Sequence, residues 1–380
     1  MKRNVLAALV CTTLATAGCG GGSGGDSKTD GSAGGTTAGS TTGGTTGGTT
    51  TSGVTTTGGD TGVAGPEDRT RPASGTVLSS SISGSAIISN GSTGSAGAGP
   101  VVNDKAQPNN FPRLAVGNFW WVNNAFNFNN TGYEDWTQAV ELAGSEGNLA
   151  PTVTYDWGGE GDLANQFATA SFPELIFGTK SAAERSGSFA ATGLPIENSE
   201  LPAQINIEYD YSYSQGVTNS PTGDTNPDFS GFNVAIESFW HESCDIVRND
   251  SADDNQVFEM MVWLHIGKRG PVAEGRNGSV GTFTTSDGRT FDVFSKTDAF
   301  FRGESATRNY LAFVAQEESF SGTIPYHEFI EETRTNAAAY GTGWRFLQDS
   351  DCLANILLGS ETWYGAGSFQ WNDVTIEQVY

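Results

Sequence analysis

The segment Gln256-Val-Phe-Glu-Met-Met-Val-Trp-Leu-His-Ile266 separates by simple alternation into two faces. Phe258, Met260, Val262, Leu264 and Ile266 form one apolar face, and Val257, Glu259, Met261, Trp263 and His265 form the other. A period of two is that of a β-strand, so the first set is a core face. The second set holds a carboxylate four residues from an indole, which suits either a solvated surface or the floor of a groove, and an exposed Trp favours the groove. His265 is expected at the surface, at the end of the strand. Two other segments share the pattern. In Asn233-Val-Ala-Ile-Glu-Ser-Phe-Trp240, Val234 and Ile236 alternate with Asn233, Ala235 and Glu237; near the C-terminus, Ile356 and Leu358 alternate with Leu357, Gly359, Glu361 and Trp363. A single strand glutamate is ordinarily just solvated. Three strands that bring three carboxylates and two Trp to one non-core side call for chemistry, and paired carboxylates in an aromatic-lined groove suit cleavage of a glycosidic bond. One carboxylate attacks or stabilises the sugar cation, the other protonates the leaving oxygen, and the aromatic rings bind the apolar faces of pyranoses.

Other chemistries lack their equipment. The one GxSxG, Gly21 to Gly25, lies in a Gly-rich stretch without a strand before it, and His241, His265 and His327 have no triad context. The phosphate-cradling GxxxxGK[ST] pattern is absent. Isolated histidines and the lack of CxxC leave no zinc spacing, and the acidic turn Asp250, Asp253 and Asp254 lacks EF-hand spacing. Neither a metal nor another cofactor is expected.

The elements that must position these residues read as strands. From Asn118 onward, short aromatic and β-branched runs are separated by Gly, Asn, Asp and Pro clusters, the pattern of an all-β sandwich or jelly roll. One helix is expected, Pro325 to Ala339, with Tyr326, Phe329 and Ile330 on one side and Glu328, Glu331, Glu332 and Arg334 on the others. Cys244 and Cys352 are the two cysteines of this part, and spacing alone leaves open whether they bridge.

Composition divides the 380 residues in two. Residues 1–106 hold six of the 19 basic and six of the 43 acidic residues, so the net charge of −24 belongs to 107–380, as do all nine Trp and all ten Tyr. An acidic unit of that size buries a large core and is repelled by phosphate backbones and anionic lipid, which excludes nucleic acid as a partner and leaves a neutral glycan open. A monomer is expected. Residues 1–18, with Lys2, Arg3 and the apolar run Val5 to Val10, read as an export signal. Leu14-Ala-Thr-Ala-Gly-Cys19 resembles a bacterial lipobox, which implies acylation at Cys19 and attachment to a membrane, outer rather than inner, only through that lipid. Residues 19–106, in tracts such as Gly43-Gly-Thr-Thr-Gly-Gly48, cannot offset their ordering entropy by burial and read as a linker ahead of a unit spanning 107–380.

Phe258-Glu-Met-Met-Val-Trp-Leu264 with Gly270-Pro-Val272, and Leu358-Gly-Ser-Glu-Thr-Trp-Tyr-Gly365, resemble the two glutamate motifs of family-12 glycoside hydrolases. Asn233-Val-Ala235, Ser171-Phe-Pro-Glu-Leu-Ile-Phe-Gly178 and Val122-Asn-Asn124 are similar to three more segments of that family, in the same order, over essentially all of 115–380. The resemblance implies a jelly roll of two curved antiparallel sheets with an open cleft on the concave face, and retaining endo-hydrolysis of β-1,4-glucans such as cellulose, mixed-linkage glucan or xyloglucan. By position it implies Glu259 as nucleophile and Glu361 as general acid/base. Glu237 falls where the family has an Asp that supports the nucleophile, and Phe126 where it has a sugar-stacking Trp. Met261, Trp263 and Trp363 match cleft residues, and Asn124 a polar residue near the stacking position. A glycan-binding surface lipoprotein without catalysis on the same fold is the alternative reading, against which both motif glutamates argue.

Overall fold

The computed structural model describes residues 71–82, 101–104, 113–116, 118–124, 137–143, 150–157, 171–181, 184–185, 189–215, 232–248, 256–265, 278–298, 308–341, 345–362 and 365–380. The strands among them are β1 Val77–Ile82, β2 Val101–Asp104, β3 Arg113–Val116, β4 Phe119–Val122, β5 Thr137–Ala143, β6 Ala150–Trp157, β7 Glu174–Ser181, β8 Glu184–Arg185, β9 Ile196–Glu197 and β10 Gln204–Gln215. They continue with β11 Val234–His241, β12 Gln256–His265, β13 Gly281–Thr284, β14 Thr290–Asp298, β15 Arg308–Ala315, β16 Ser321–Pro325, β17 Cys352–Leu353, β18 Asn355–Gly359 and β19 Gly365–Val379.

They form an all-β jelly-roll sandwich of two sheets. One runs β16-β10-β19-β6-β5-β2 with β1 on β19, and the other runs β13-β14-β15-β12-β11-β18-β7-β4-β3 with the short β8, β9 and β17 at its margins. The described pairings are antiparallel except one, since β12 and β15 run parallel. Alternation explains how the sheets meet. In β10, Ile205, Ile207, Tyr209 and Tyr211 are buried, while Gln204, Glu208 and Ser212 on the alternate face are exposed. The ring of Tyr211 meets Phe369 and Trp371 of β19 at 6.0 and 5.8 Å between centroids, where one extra residue of β19 slips the register beside Asp210. Such cross-strand aromatic pairs stabilise a sheet by roughly 0.2–1 kcal/mol each.

The helix Tyr326–Asn336 packs beneath the second sheet, beginning one residue later than the periodicity predicts and ending three residues earlier, where the 3₁₀ turn Ala337–Tyr340 takes over. Its Phe329 ring sits 4.9–5.1 Å from Phe283, Phe291 and Phe313, and Thr333 Oγ1 donates to Met260 Sδ at 3.4 Å, so Met260 lies on the core face as alternation requires. It is not the one helix of the chain. Single turns at Phe189–Thr192 and Cys244–Arg248 accompany it, too short to carry a readable 3.6-residue period. The second is tied down by a Cys244–Cys352 disulfide that closes a 108-residue separation and settles the question spacing left open.

Three further expectations are corrected. Val77–Ile82, inside the stretch 19–106 read as linker, is a strand whose six residues pair with Val374–Val379; its serine-rich sequence hides an alternation in which Ser80 and Ile82 are buried. Val101–Asp104 likewise pairs with β5. Trp263 is not exposed but 1% accessible, in a strand where every residue from Val257 to Leu264 is buried. His265 leaves the face of Glu259: the register with β11 slips between Val234 and Ala235, and the imidazole packs in tilted contact, 4.9 Å between ring centres, against Tyr213 of the opposite sheet and against Phe232. There Nδ1 is hydrogen-bonded to Glu318.

Burial lowers the pKa of His265 from its usual value, outweighing the Glu318 carboxylate that pulls it up. The unfolded chain therefore takes a proton more readily, so this residue's contribution to stability is complete above roughly pH 6.5 and shrinks as the pH falls through that value. Denaturant midpoints taken from pH 7.5 to 5.5 should fall more steeply for the wild type than for His265→Gln. Parallel profiles would remove His265 from the account.

Candidate functional site

Register lays the carboxylates out in order. Glu259 of β12 faces Phe239 of β11 on one side and Tyr310 of β15 on the other, and Tyr310 in turn faces Lys296 of β14. Two residues along β12, Met261 is in register with Glu237, and Glu237 with Leu357 of β18. Two residues further, Trp263 is in register with Ala235, Ala235 with Gly359, and Gly359 with Glu174 of β7. Beyond Gly359, Asn233 and Glu361 lie opposite each other. Glu259, Met261, Trp263, Glu237 and Glu361 thus share the face of the sheet turned away from Met260 and the helix.

Glu237 and Glu259 are only 6% and 7% accessible. Met261 links its neighbours through sulfur, accepting hydrogen bonds from Trp263 Nε1 at 3.4 Å and from the Tyr310 hydroxyl at 3.3 Å. These contacts lock the indole and the phenol against the strand that bears Glu259. Tyr310 and Lys296, both nearly buried, are the residues sequence reasoning misses here. Nothing local announces that β15 joins β12 in parallel, so no alternation within either segment could place them beside Glu259.

Glu361 is half-buried and held by one fully buried side chain. Asn233 Nδ2 donates to its Oε2 at 2.6 Å, the Glu361 amide donates to Asn233 Oδ1 at 2.8 Å, and the Asn233 amide donates to the Glu361 carbonyl at 2.9 Å. Backbone and carboxylate are fixed together by one amide. The next residue, Thr362, bridges to both Ser171 and Phe232. Its hydroxyl meets that of Ser171, which hands its single proton to Gln138 Oε1, and Gln138 Nε2 donates to Asn123 Oδ1 at 2.6 Å. Gln138 belongs to β5 of the other sheet, so a buried chain of polar side chains pins the Glu361 turn to both layers of the sandwich. Gly359 permits the approach: a Cβ there would stand 2.6 Å from the Pro173 carbonyl and 2.9 Å from the Phe172 ring.

Asn124 donates through Nδ2 to Glu174 Oε1 at 3.2 Å, and its carbonyl accepts from the Phe172 amide at 2.8 Å, which seats it at the end of the row that holds Trp263 and Gly359. Phe126, Trp363 and Cys19 lie outside the described residues. Among the described residues no group of three or more His, Cys, Asp and Glu is placed to share a metal ion. A small cavity lined by Tyr209, Arg289, Gln316 and Glu317 contains none of these carboxylates.

The fold is that of a β-jelly roll, and solved structures share it. A family 12 xyloglucanase from Bacillus licheniformis in complex with ligand superposes with a TM-score of 0.54 at 18% identity, over 73% of this chain and 99% of its own. An endoglucanase from Rhodothermus marinus does so with a TM-score of 0.50 at 19% identity, over 74% of this chain and 100% of its own. At such identity the likeness is one of fold. No protein-family model matches the chain, and no curated protein matches it.

Asn233→Ala would remove the side chain that accepts from the Glu361 amide and donates to its carboxylate. Its unfolding free energy should fall by about 2–3 kcal/mol, the scale of a lost charged hydrogen bond, in urea titrations at neutral pH. A change within 0.5 kcal/mol of zero would mean that the pair contributes nothing.

Proposed function

We propose that the protein is a retaining, endo-acting glycoside hydrolase that cleaves β-1,4-glucan chains. The observation that carries this reading is the register, which sets Glu259, Glu237 and Glu361 on one face of one sheet with Met261 and Trp263 between them. The fold shared with a xyloglucanase and an endoglucanase supports it. Glu259 acts as nucleophile on the anomeric carbon, and Glu361 protonates the departing oxygen and then activates water. For retention the two carboxyl groups must approach to roughly 5–5.5 Å.

That requirement constrains the sheet. The positions opposite Glu259 and Glu361, Phe239 of β11 and Asn233 just before it, are six residues apart, roughly 20 Å along a flat strand. The carboxyl groups meet only if the strands curl, so that side chains from the two walls point at one another across the substrate. A concave jelly-roll sheet has this form. Glu237, between them, supports Glu259: its longer arm, where the family it resembles has Asp, reaches diagonally toward the nucleophile, and in protonated form it donates a hydrogen bond to the Glu259 anion. Two carboxylates in one cleft titrate in separated steps, which gives a bell-shaped rate profile on the acid side of neutrality.

A reducing-end assay over soluble glucans tests the activity. Glu259→Gln should be inactive on polysaccharide and on activated aryl glycosides alike. Glu361→Gln should lose polysaccharide turnover and the alkaline limb of the profile while sparing the first step on aryl glycosides. Near-normal turnover by Glu259→Gln would mean the nucleophile lies elsewhere, and tight glycan retention without reducing ends would favour a binding protein.

Export and acylation at Cys19 belong to the same proposal, motivated by the Gly18-Cys19 junction. The enzyme would then work at the cell surface, tethered to a membrane only by its lipid. Mass spectrometry of the mature N-terminus should find a diacylglyceryl cysteine that Cys19→Ser abolishes; an unmodified, soluble wild type would refute the anchor.

A further inference from the structure

The run Phe119-Trp-Trp-Val122 of β4 sends its two indoles to opposite faces. Trp121 is fully buried in the main core with Phe119. Trp120 points the other way and is half-buried against Val122, Phe172, Ile176, Phe239 and Leu357, an apolar cluster separate from the core. Closing the sandwich does not require apolar packing on that side. The cluster lies on the same face as the carboxylates, and one continuous row joins them: Trp120 is in register with Ile176, Ile176 with Leu357, Leu357 with Glu237, and Glu237 with Met261. Four strand spacings, roughly 19 Å, separate Trp120 from Met261 along that row.

We propose that Trp120 is a sugar-stacking platform for a remote unit of a neutral β-linked glucan chain lying across the strands. The inference rests on the glycan-binding half of the proposed function. A half-buried indole held against an apolar cluster offers a rigid aromatic surface at little entropic cost, and a β-1,4-linked glucose unit presents apolar C–H faces of matching size. The cluster contributes no charge, and the net charge of −24 disfavours an anionic chain. Trp120 belongs to the sheet itself, and the face it presents is set by its place in β4.

Isothermal titration with cellobiose through cellohexaose tests it, with Glu259→Gln in every protein to prevent hydrolysis. Trp120→Ala should weaken cellohexaose binding roughly tenfold, as expected for loss of one aromatic face of about 1.4 kcal/mol, and leave the shortest ligand that binds unchanged. Trp120→Leu, which keeps apolar packing on Ile176 and Leu357, should show the same length-dependent loss, and Trp120→Phe should recover most of it. Equal losses for long and short ligands, or no loss with cellohexaose, overturn the inference alone. Failure of the protein with Trp120 intact to bind any of these glucans overturns the substrate reading and this inference with it.

Discussion

Slide β11 by one residue against β12 or β18, and Ile236 would turn outward while Glu237 entered the core. Register is therefore the constraint on which the site depends, and the strand is built to resist slipping. All eight residues of β11 are buried, so both faces have a preferred environment and neither tolerates the other's side chains. Asn233, at the entrance to β11, adds a second lock, because its side chain recognises both the amide and the carboxylate of Glu361. A one-residue slip would lose the packing and the clamp together, which is why the pairing of hydrophobic residues also determines where the acids stand.

Burying those acids is costly. Glu174, Glu237 and Glu259 all fall below a tenth exposed, and an ionised carboxylate taken from water loses several kcal/mol unless its new surroundings replace the lost solvation. The surroundings here are polar in an ordered way: Asn124 beside Glu174, an indole N–H and a phenol hydroxyl that both donate to the Met261 sulfur, and a buried lysine one strand beyond Tyr310. Cores gain stability by replacing such groups with apolar ones. Keeping four glutamates on one sheet face is the sort of local conflict that marks a working site rather than a structural one.

Much of this was legible in alternation. β12 divides into Phe258, Met260, Val262 against Glu259, Met261, Trp263 as the sequence implies, because a pleated strand turns successive side chains to opposite faces however deeply either face is buried. What lay hidden depended on partners far along the chain. His265 obeys the same count yet faces the other sheet, since a register slip against β11 has no sequence mark. The strand at Val77–Ile82 reads as linker because serines fill it, and only its pairing with β19 gives Ser80 a buried place. In Phe119–Val122 all four residues are apolar, so alternation cannot say which indole is core and which is not. Tyr310 and Lys296 required knowing that β15 returns parallel to β12.

A fold shared at 18–19% identity asks little of the sequence, whereas the turn at Glu361 asks much. The sandwich needs only that alternate residues of each strand be apolar, a condition many sequences meet. The turn needs particular residues: Gly359, because any side chain would strike Pro173; Asn233, because both a donor and an acceptor are wanted; and the Asn123, Gln138, Ser171 and Thr362 chain, because each member satisfies the next and all four are fully buried. A half-satisfied network of this kind destabilises more than an apolar replacement would, so its members must be kept or lost together. Since Gln138 comes from the opposite sheet, the position of Glu361 depends on how the two layers are stacked as well as on its own strand. A substitution on β5, far from any glutamate in sequence, therefore reaches the site through hydrogen bonds rather than through packing.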